Sequence, residues 1–120
     1  MATILIADDD DASRLLLSTL LEHAEHRVIA VADGTSALEA LGREEPDLLV
    51  TDLSMPQISG AELIRTARAR NTRLRIALYT ATTPNAAIRD FMEIYGVLTL
   101  ITKPAEPWEV LEGVRAALER

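Results

Sequence analysis

The sequence predicts an α/β domain built as a doubly wound, parallel five-stranded sheet with helices on both faces. Three observations predict it. Five short apolar runs recur along the chain, most of them continuous instead of alternating, and a helical pattern follows every one of them. Continuous runs rich in valine, isoleucine and leucine are how strands buried on both faces read. Strict alternation of strand and helix then implies parallel strands joined by right-handed crossovers.

The first run is Ile4-Leu5-Ile6-Ala7, followed by a helical stripe of Leu15, Leu16, Leu20 and Leu21. Asp10 or Asp11 is placed to cap that helix, because a carboxylate accepts from free N–H groups and suits the helix dipole. The second run, Val28-Ile29-Ala30-Val31, leads through Asp33-Gly34-Thr35 into a helix with Ala37, Leu38 and Leu41 on one face. The third, Leu48-Leu49-Val50, ends at Asp52, and Ser59-Gly60 opens a helix carrying Leu63, Ile64 and Ala67. The fourth, Ile76-Ala77-Leu78-Tyr79, precedes a helix opened by Pro84-Asn85, striped with Ile88, Phe91, Met92 and Tyr95, and closed by Gly96. The fifth, Leu98-Thr99-Leu100-Ile101, leads to a last helix that starts near Trp108 and shows Val110, Leu111, Val114 and Leu118. These start and stop residues are the ones that helix ends require.

Length and charge narrow the function. A chain of 120 residues suits one domain over residues 1–120, and it can bury roughly two-thirds of its unfolded surface. The net charge of −7 argues against direct contact with nucleic acid, whose phosphates would be repelled. There is no cysteine for a disulfide or thiolate site. Met1-Ala2-Thr3 lacks a basic flank and a long apolar core, which argues against a signal peptide. No apolar run approaches the ~20 residues that span a bilayer. The expectation is a cytoplasmic protein with no membrane contact.

In an open parallel sheet, ligands bind beyond the carboxyl ends of the strands where the strand order reverses. Asp8 and Asp9 follow the first strand, Asp52 the third, Thr80 ends the fourth and Lys103-Pro104 follows the fifth. If the second strand is an edge, giving order 2-1-3-4-5, all of them converge on one rim. Two carboxylates ~4 Å apart repel by about 4 kcal/mol at an effective dielectric of ~20. Gathering Asp8, Asp9 and Asp52 therefore costs stability unless a cation or proton is held there. An all-oxygen set favours Mg²⁺, which keeps positions for water and phosphate oxygens. The Ser54 carbonyl could complete the metal shell. Asp52 is the natural nucleophile for an aspartyl-phosphate, with Lys103 and the Thr80 hydroxyl available to phosphoryl oxygens.

Ile4-Leu5-Ile6-Ala7-Asp8-Asp9-Asp10, Thr51-Asp52-Leu53-Ser54-Met55-Pro56 with Gly60, Thr80-Ala81 and Lys103-Pro104 together resemble the response-regulator receiver domain. The resemblance spans the whole chain in order. It implies a (βα)5 flavodoxin-like fold with the strand order known for a chemotaxis receiver. Because the last helix runs to the end of these 120 residues, no output domain is expected within them. It implies that Asp52 takes a phosphoryl group from a sensor histidine kinase or a histidine phosphotransfer protein. Asp9, Asp52 and the Ser54 carbonyl would hold Mg²⁺, with Asp8 acting largely through water, and Thr80 and Lys103 would bind the phosphoryl oxygens. The only catalysis expected is of the domain's own phosphorylation and dephosphorylation, the latter tuned at Ser54 and Thr82. A downstream protein would dock on the helix-four to helix-five surface of a monomer or weak homodimer. A cis Lys103-Pro104 bond is also implied.

Three positions depart from the family pattern. Leu100 stands where an aromatic ring usually turns inward, so the switch is expected to be atypical. Val97 replaces a common alanine, and Ala105 a bulkier residue. Tyr79 neighbours Thr80 and so points to the opposite sheet face, which leaves Tyr95 as the candidate stand-in.

Other features read as structural. His23 and His26 stand near a helix end, where imidazoles meet free carbonyls. Arg65, Arg68, Arg70, Arg73 and Arg75 read as a solvated face, and Trp108 as a packing or partner residue. Two rival functions are weaker. A haloacid-dehalogenase-type phosphatase would use Asp8-x-Asp10, but Ala12 stands where its Thr or Val belongs and the chain is short for that fold. A non-catalytic adaptor would have lost acidic, threonine or lysine positions that are all kept here.

Overall fold

The computed structural model describes residues 1–120. Its elements are β1 (Thr3–Ala7), α1 (Asp11–His23), β2 (Arg27–Val31), α2 (Gly34–Glu44), β3 (Leu48–Thr51), α3 (Gly60–Arg70), β4 (Arg75–Thr80), α4 (Ala86–Tyr95), β5 (Thr99–Thr102) and α5 (Pro107–Leu118). All strands pair in parallel in the order β2-β1-β3-β4-β5, as expected. The reversal of direction falls between β1 and β3, which places any site at their carboxyl ends.

Alternation along each buried strand divides the interior in two. Ile4, Ile6, Leu48, Val50, Ala77 and Tyr79 face α1 and α5, where they meet Leu17, Leu21, Val110 and Val114. Leu5, Ala7, Leu49, Ile76 and Leu78 face α2 to α4, meeting Ala37, Leu63, Ile64 and Ala67. Each wholly buried leucine or isoleucine contributes about 1.5–3 kcal/mol.

The helix boundaries follow local chemistry. The side chains of Asp10, Asp33, Ser59 and Asn85 accept from the backbone N–H of Ser13, Ser36, Glu62 and Ile88. Those of Asp10 and Asp33 have lowered pKa values, chiefly through these backbone hydrogen bonds. Gly96 ends α4 at φ 66°, a left-handed conformation that glycine adopts without a Cβ clash. Glu106 and Glu109 form a capping box, with Pro107 as the first residue of α5. The Lys103-Pro104 bond is cis.

Two sequence expectations change. In α1 the buried residues are Leu17 and Leu21, while Leu15 and Leu16 are exposed. Leucine occupies positions 15, 16, 17, 20 and 21, so apolar side chains lie all round and the pattern alone does not select the inward face. The last strand begins at Thr99, and Leu98 lies before it, its N–H bonded to the Ile76 carbonyl. The α4 stripe is placed as expected but is only partly buried: Ile88, Phe91, Met92 and Tyr95 rest on the second core without sinking into it.

Candidate functional site

Main-chain bonds carry the sheet one residue beyond its strands and fix the rim. The Asp8 N–H donates to the Val31 carbonyl, that of Asp52 to Ala7, and that of Lys103 to Thr80, at 3.1, 3.0 and 2.9 Å. Asp8, Asp52 and Thr80 are all buried, whereas Asp9 is exposed. The predicted residues therefore arrive together from four separate strands.

The Lys103 ammonium joins them. Its Nζ donates to Asp8 Oδ2 at 2.7 Å and to Asp52 Oδ2 at 2.9 Å. The remaining oxygens are also engaged, since the Asp10 N–H donates to Asp8 Oδ1 and the Ser54 N–H to Asp52 Oδ1. One ammonium cannot balance three carboxylates. Carboxylate oxygens of Asp8, Asp9 and Asp52 lie within 4.8 Å of one another. A compact all-oxygen set with surplus negative charge fits a hard divalent cation such as Mg²⁺.

The same contacts set the behaviour of Lys103 at high pH. Burial lowers the pKa of the ammonium, but its hydrogen bonds to Asp8 and Asp52 outweigh that and leave it above the ordinary lysine value of 10.5. A raised folded-state pKa stabilises the fold below the unfolded value and loses that contribution as pH climbs through the folded one. Without divalent metal, stability is therefore expected to fall as pH rises above 10.5. Denaturation midpoints across that range should show a drop that is smaller in Lys103→Met.

The Thr80 hydroxyl points to its own loop, donating to Thr82 Oγ1 at 3.2 Å and accepting from the Thr82 N–H. Leu100 pairs with Leu78 and is partly buried on the α2–α4 side, leaving no ring at that position. Val97 is accommodated within that same core, and Ala105 packs against the opposite one.

Two neighbours of the site were not read from sequence. Tyr79 lies beneath Lys103, with Nζ 4.9 Å from its ring centroid. Burial raises the pKa of its phenol, and Lys103 pulls it partway back. Alternation carried the signal: Ile101 pairs with Tyr79, and Lys103 lies two residues beyond on the same face. Arg14 is the second, donating to the Asp8 carbonyl at 2.9 Å and pairing with Asp11. His26 differs from expectation, since its Nδ1 accepts from the Ala2 N–H instead of its ring meeting a carbonyl. Trp108 is exposed and does not serve the core.

A family model of the response regulator receiver domain matches residues 4–115. The chain belongs to that family. The receiver is 34% identical to the transcriptional regulatory protein AfsQ1 of Streptomyces coelicolor, over all of this chain and 52% of that protein. It is 29% identical to sporulation initiation phosphotransferase F of Bacillus subtilis, over 96% of this chain and 92% of that one. Among solved structures, the chemotaxis protein CheY4 of Vibrio cholerae superposes with a TM-score of 0.91 at 25% identity, covering 98% of both chains. The receiver spans about half the length of several curated relatives it matches. No helix in it is long and apolar enough to cross a membrane.

Proposed function

We propose that Asp52 accepts a phosphoryl group from a phosphohistidine on a sensor kinase or phosphotransfer protein, and that this changes which downstream protein the receiver binds. The observation that carries the reading is the convergence of Asp8, Asp52 and Lys103 through hydrogen bonds of 2.7 and 2.9 Å at the carboxyl rim of the sheet. Asp9, Asp52 and the Ser54 carbonyl, with Asp8 behind them, would hold Mg²⁺, which offsets the charge of the carboxylates and of the incoming phosphoryl group.

An Asp52 oxygen attacks phosphorus, the P–N bond to the donor imidazole breaks, and the imidazole leaves as the neutral ring after taking a proton. Lys103 passes from its carboxylate partners to a phosphoryl oxygen, and the Thr80 hydroxyl turns from Thr82 to another. The chemistry is positioning and charge compensation. Water attacking the aspartyl-phosphate in line would reverse the state, at a rate set by Ser54 and Thr82. The surface from α4 through β5 to α5 is the proposed contact for a downstream protein, in a cytoplasmic monomer or weak homodimer. Leu100 implies that this output does not depend on an inward-turning ring at that position.

Acetyl phosphate with Mg²⁺ should give one base-labile phosphoryl adduct by intact mass, and EDTA should suppress it. Asp9→Asn should raise the Mg²⁺ concentration for half-maximal labelling roughly ten-fold or more, since a hydrogen bond or contact to a charged group is worth about 1.5–3 kcal/mol. Equal labelling in EDTA would remove the metal from the proposal.

A further inference from the structure

The opposite end of the sheet carries a second charged feature. A groove of about 630 Å³ opens at the amino ends of β4 and β5, lined by Arg68, Arg73, Arg75 and Arg120 together with Tyr95 and Leu98. None of these four guanidiniums pairs with an aspartate or glutamate side chain, nor do those of Arg65, Arg70 and Arg89 outside the groove, whereas Arg14, Arg27, Arg43 and Arg115 all do. In a chain of net charge −7, the four arginines give this concavity a local positive surplus, which raises the local concentration of anions. Glu93 is the single acidic residue of the lining, and it is exposed at the rim.

The groove is organised, not a loose fringe of side chains. The carbonyl ends of α3 and α4 open onto it and would repel an anion. Arg68 covers them, donating to the main-chain oxygens of Tyr95, Asn71 and Gly96 at 2.8, 3.2 and 3.3 Å. Arg120 donates to the Leu98 carbonyl, and Arg75 Nε to the main-chain oxygen of Arg120, both at 2.9 Å. Arg68 thus engages all three of its guanidinium nitrogens and acts as a cap, whereas Arg75 and Arg120 each use a single nitrogen and keep other N–H groups free. The Arg73 side chain makes no hydrogen bond within the protein.

We propose that this groove binds a polyphosphate group, either free or carried by a nucleotide. Arg73, Arg75 and Arg120, lining one concavity with N–H groups to spare, suit adjacent phosphates, which each accept two N–H donors from a planar fork. The volume falls in the range of small-molecule sites. Tyr95 and Leu98 offer an apolar wall to a base. The site lies at the far end of the sheet from Asp52 and is independent of the phosphoacceptor reading.

Titrations should use tripolyphosphate and, separately, ATP, in EDTA and low salt so that the carboxylate rim takes no part through a metal. Saturable binding is expected, with amide shifts at residues 68–75 and 93–98. Arg73→Glu should weaken it roughly ten-fold or more, since each charge-assisted hydrogen bond is worth about 1.5–3 kcal/mol. Arg89→Glu, an exposed arginine elsewhere, should leave it unchanged. Tighter binding of ATP than of tripolyphosphate assigns the nucleotide as the source, and the reverse assigns the free anion. No saturable binding of either, or equal losses in the two variants, overturns the proposal. Binding of an oligoglutamate peptide alone overturns it in favour of an acidic protein segment.

Discussion

Asp52→Asn is expected to keep its unmodified mass after incubation with Mg²⁺ and acetyl phosphate, with complete loss of the adduct that the parent chain acquires. The substitution preserves shape and removes one thing, an anionic oxygen able to attack phosphorus. It also removes a negative charge from a cluster of three carboxylates, two of which share one ammonium. The folded state should therefore survive, and the metal-free midpoint of unfolding should hold steady or rise. Asp8→Asn provides the contrast. It weakens the hold on Lys103 and on the cation, so labelling should slow without vanishing. A phosphatase using Asp8 as its nucleophile demands the opposite pair of results. An adduct on Asp52→Asn would mean that another residue is the acceptor.

The largest expected effect on stability comes from one methyl group. A Cβ on Gly60 would stand 1.8 Å from the Asp52 carbonyl oxygen and 2.7 Å from the Leu53 Cα. Both obstacles are backbone, and the Gly60 N–H is itself bonded to the Leu53 carbonyl at 2.8 Å. Relief requires moving the segment that carries Asp52. Gly60→Ala should cost about 3 kcal/mol or more, at the upper end of overpacking effects, and should impair phosphorylation as well. Gly42→Ala is the internal control, because it lies in α2 with nothing within 4 Å of the added carbon. That change should stabilise by about 0.5–1 kcal/mol through helix propensity. Denaturant midpoints with unchanged slopes measure both, and similar midpoints for the two variants would contradict the close approach of α3 to Asp52.

The sequence made the sheet legible because β1, β3 and β4 are buried on both sides and read as unbroken apolar runs, while the half-buried edge strands β2 and β5 still send apolar side chains to both cores. It also announced the helix starts, since Asp10, Asp33, Ser59 and Asn85 are capping residues by type. The rim carboxylates were legible for a topological reason: Asp8, Asp52 and Lys103 each follow a strand. Their contacts were not. That Lys103 holds Asp8 and Asp52 at once depends on how the β5–α5 turn aims a long flexible stem. The face of α1 was hidden by its excess of leucine. Arg68 looked like a solvated residue because its actual role, covering the carbonyl ends of two helices, exists only after α3 and α4 have come together.

The division of the interior by the sheet gives the rim two mechanical addresses. Lys103 rests on Tyr79, whose ring belongs to the compartment of α1 and α5. Thr80 alternates to the other side, and Leu100 lies in the compartment of α2 to α4. A displacement of the ammonium would thus bear on one half of the molecule and a rotation of the threonine on the other. Under the proposed phosphorylation a single event at Asp52 would reach both halves, and either route could be altered by substitution while the other is left in place.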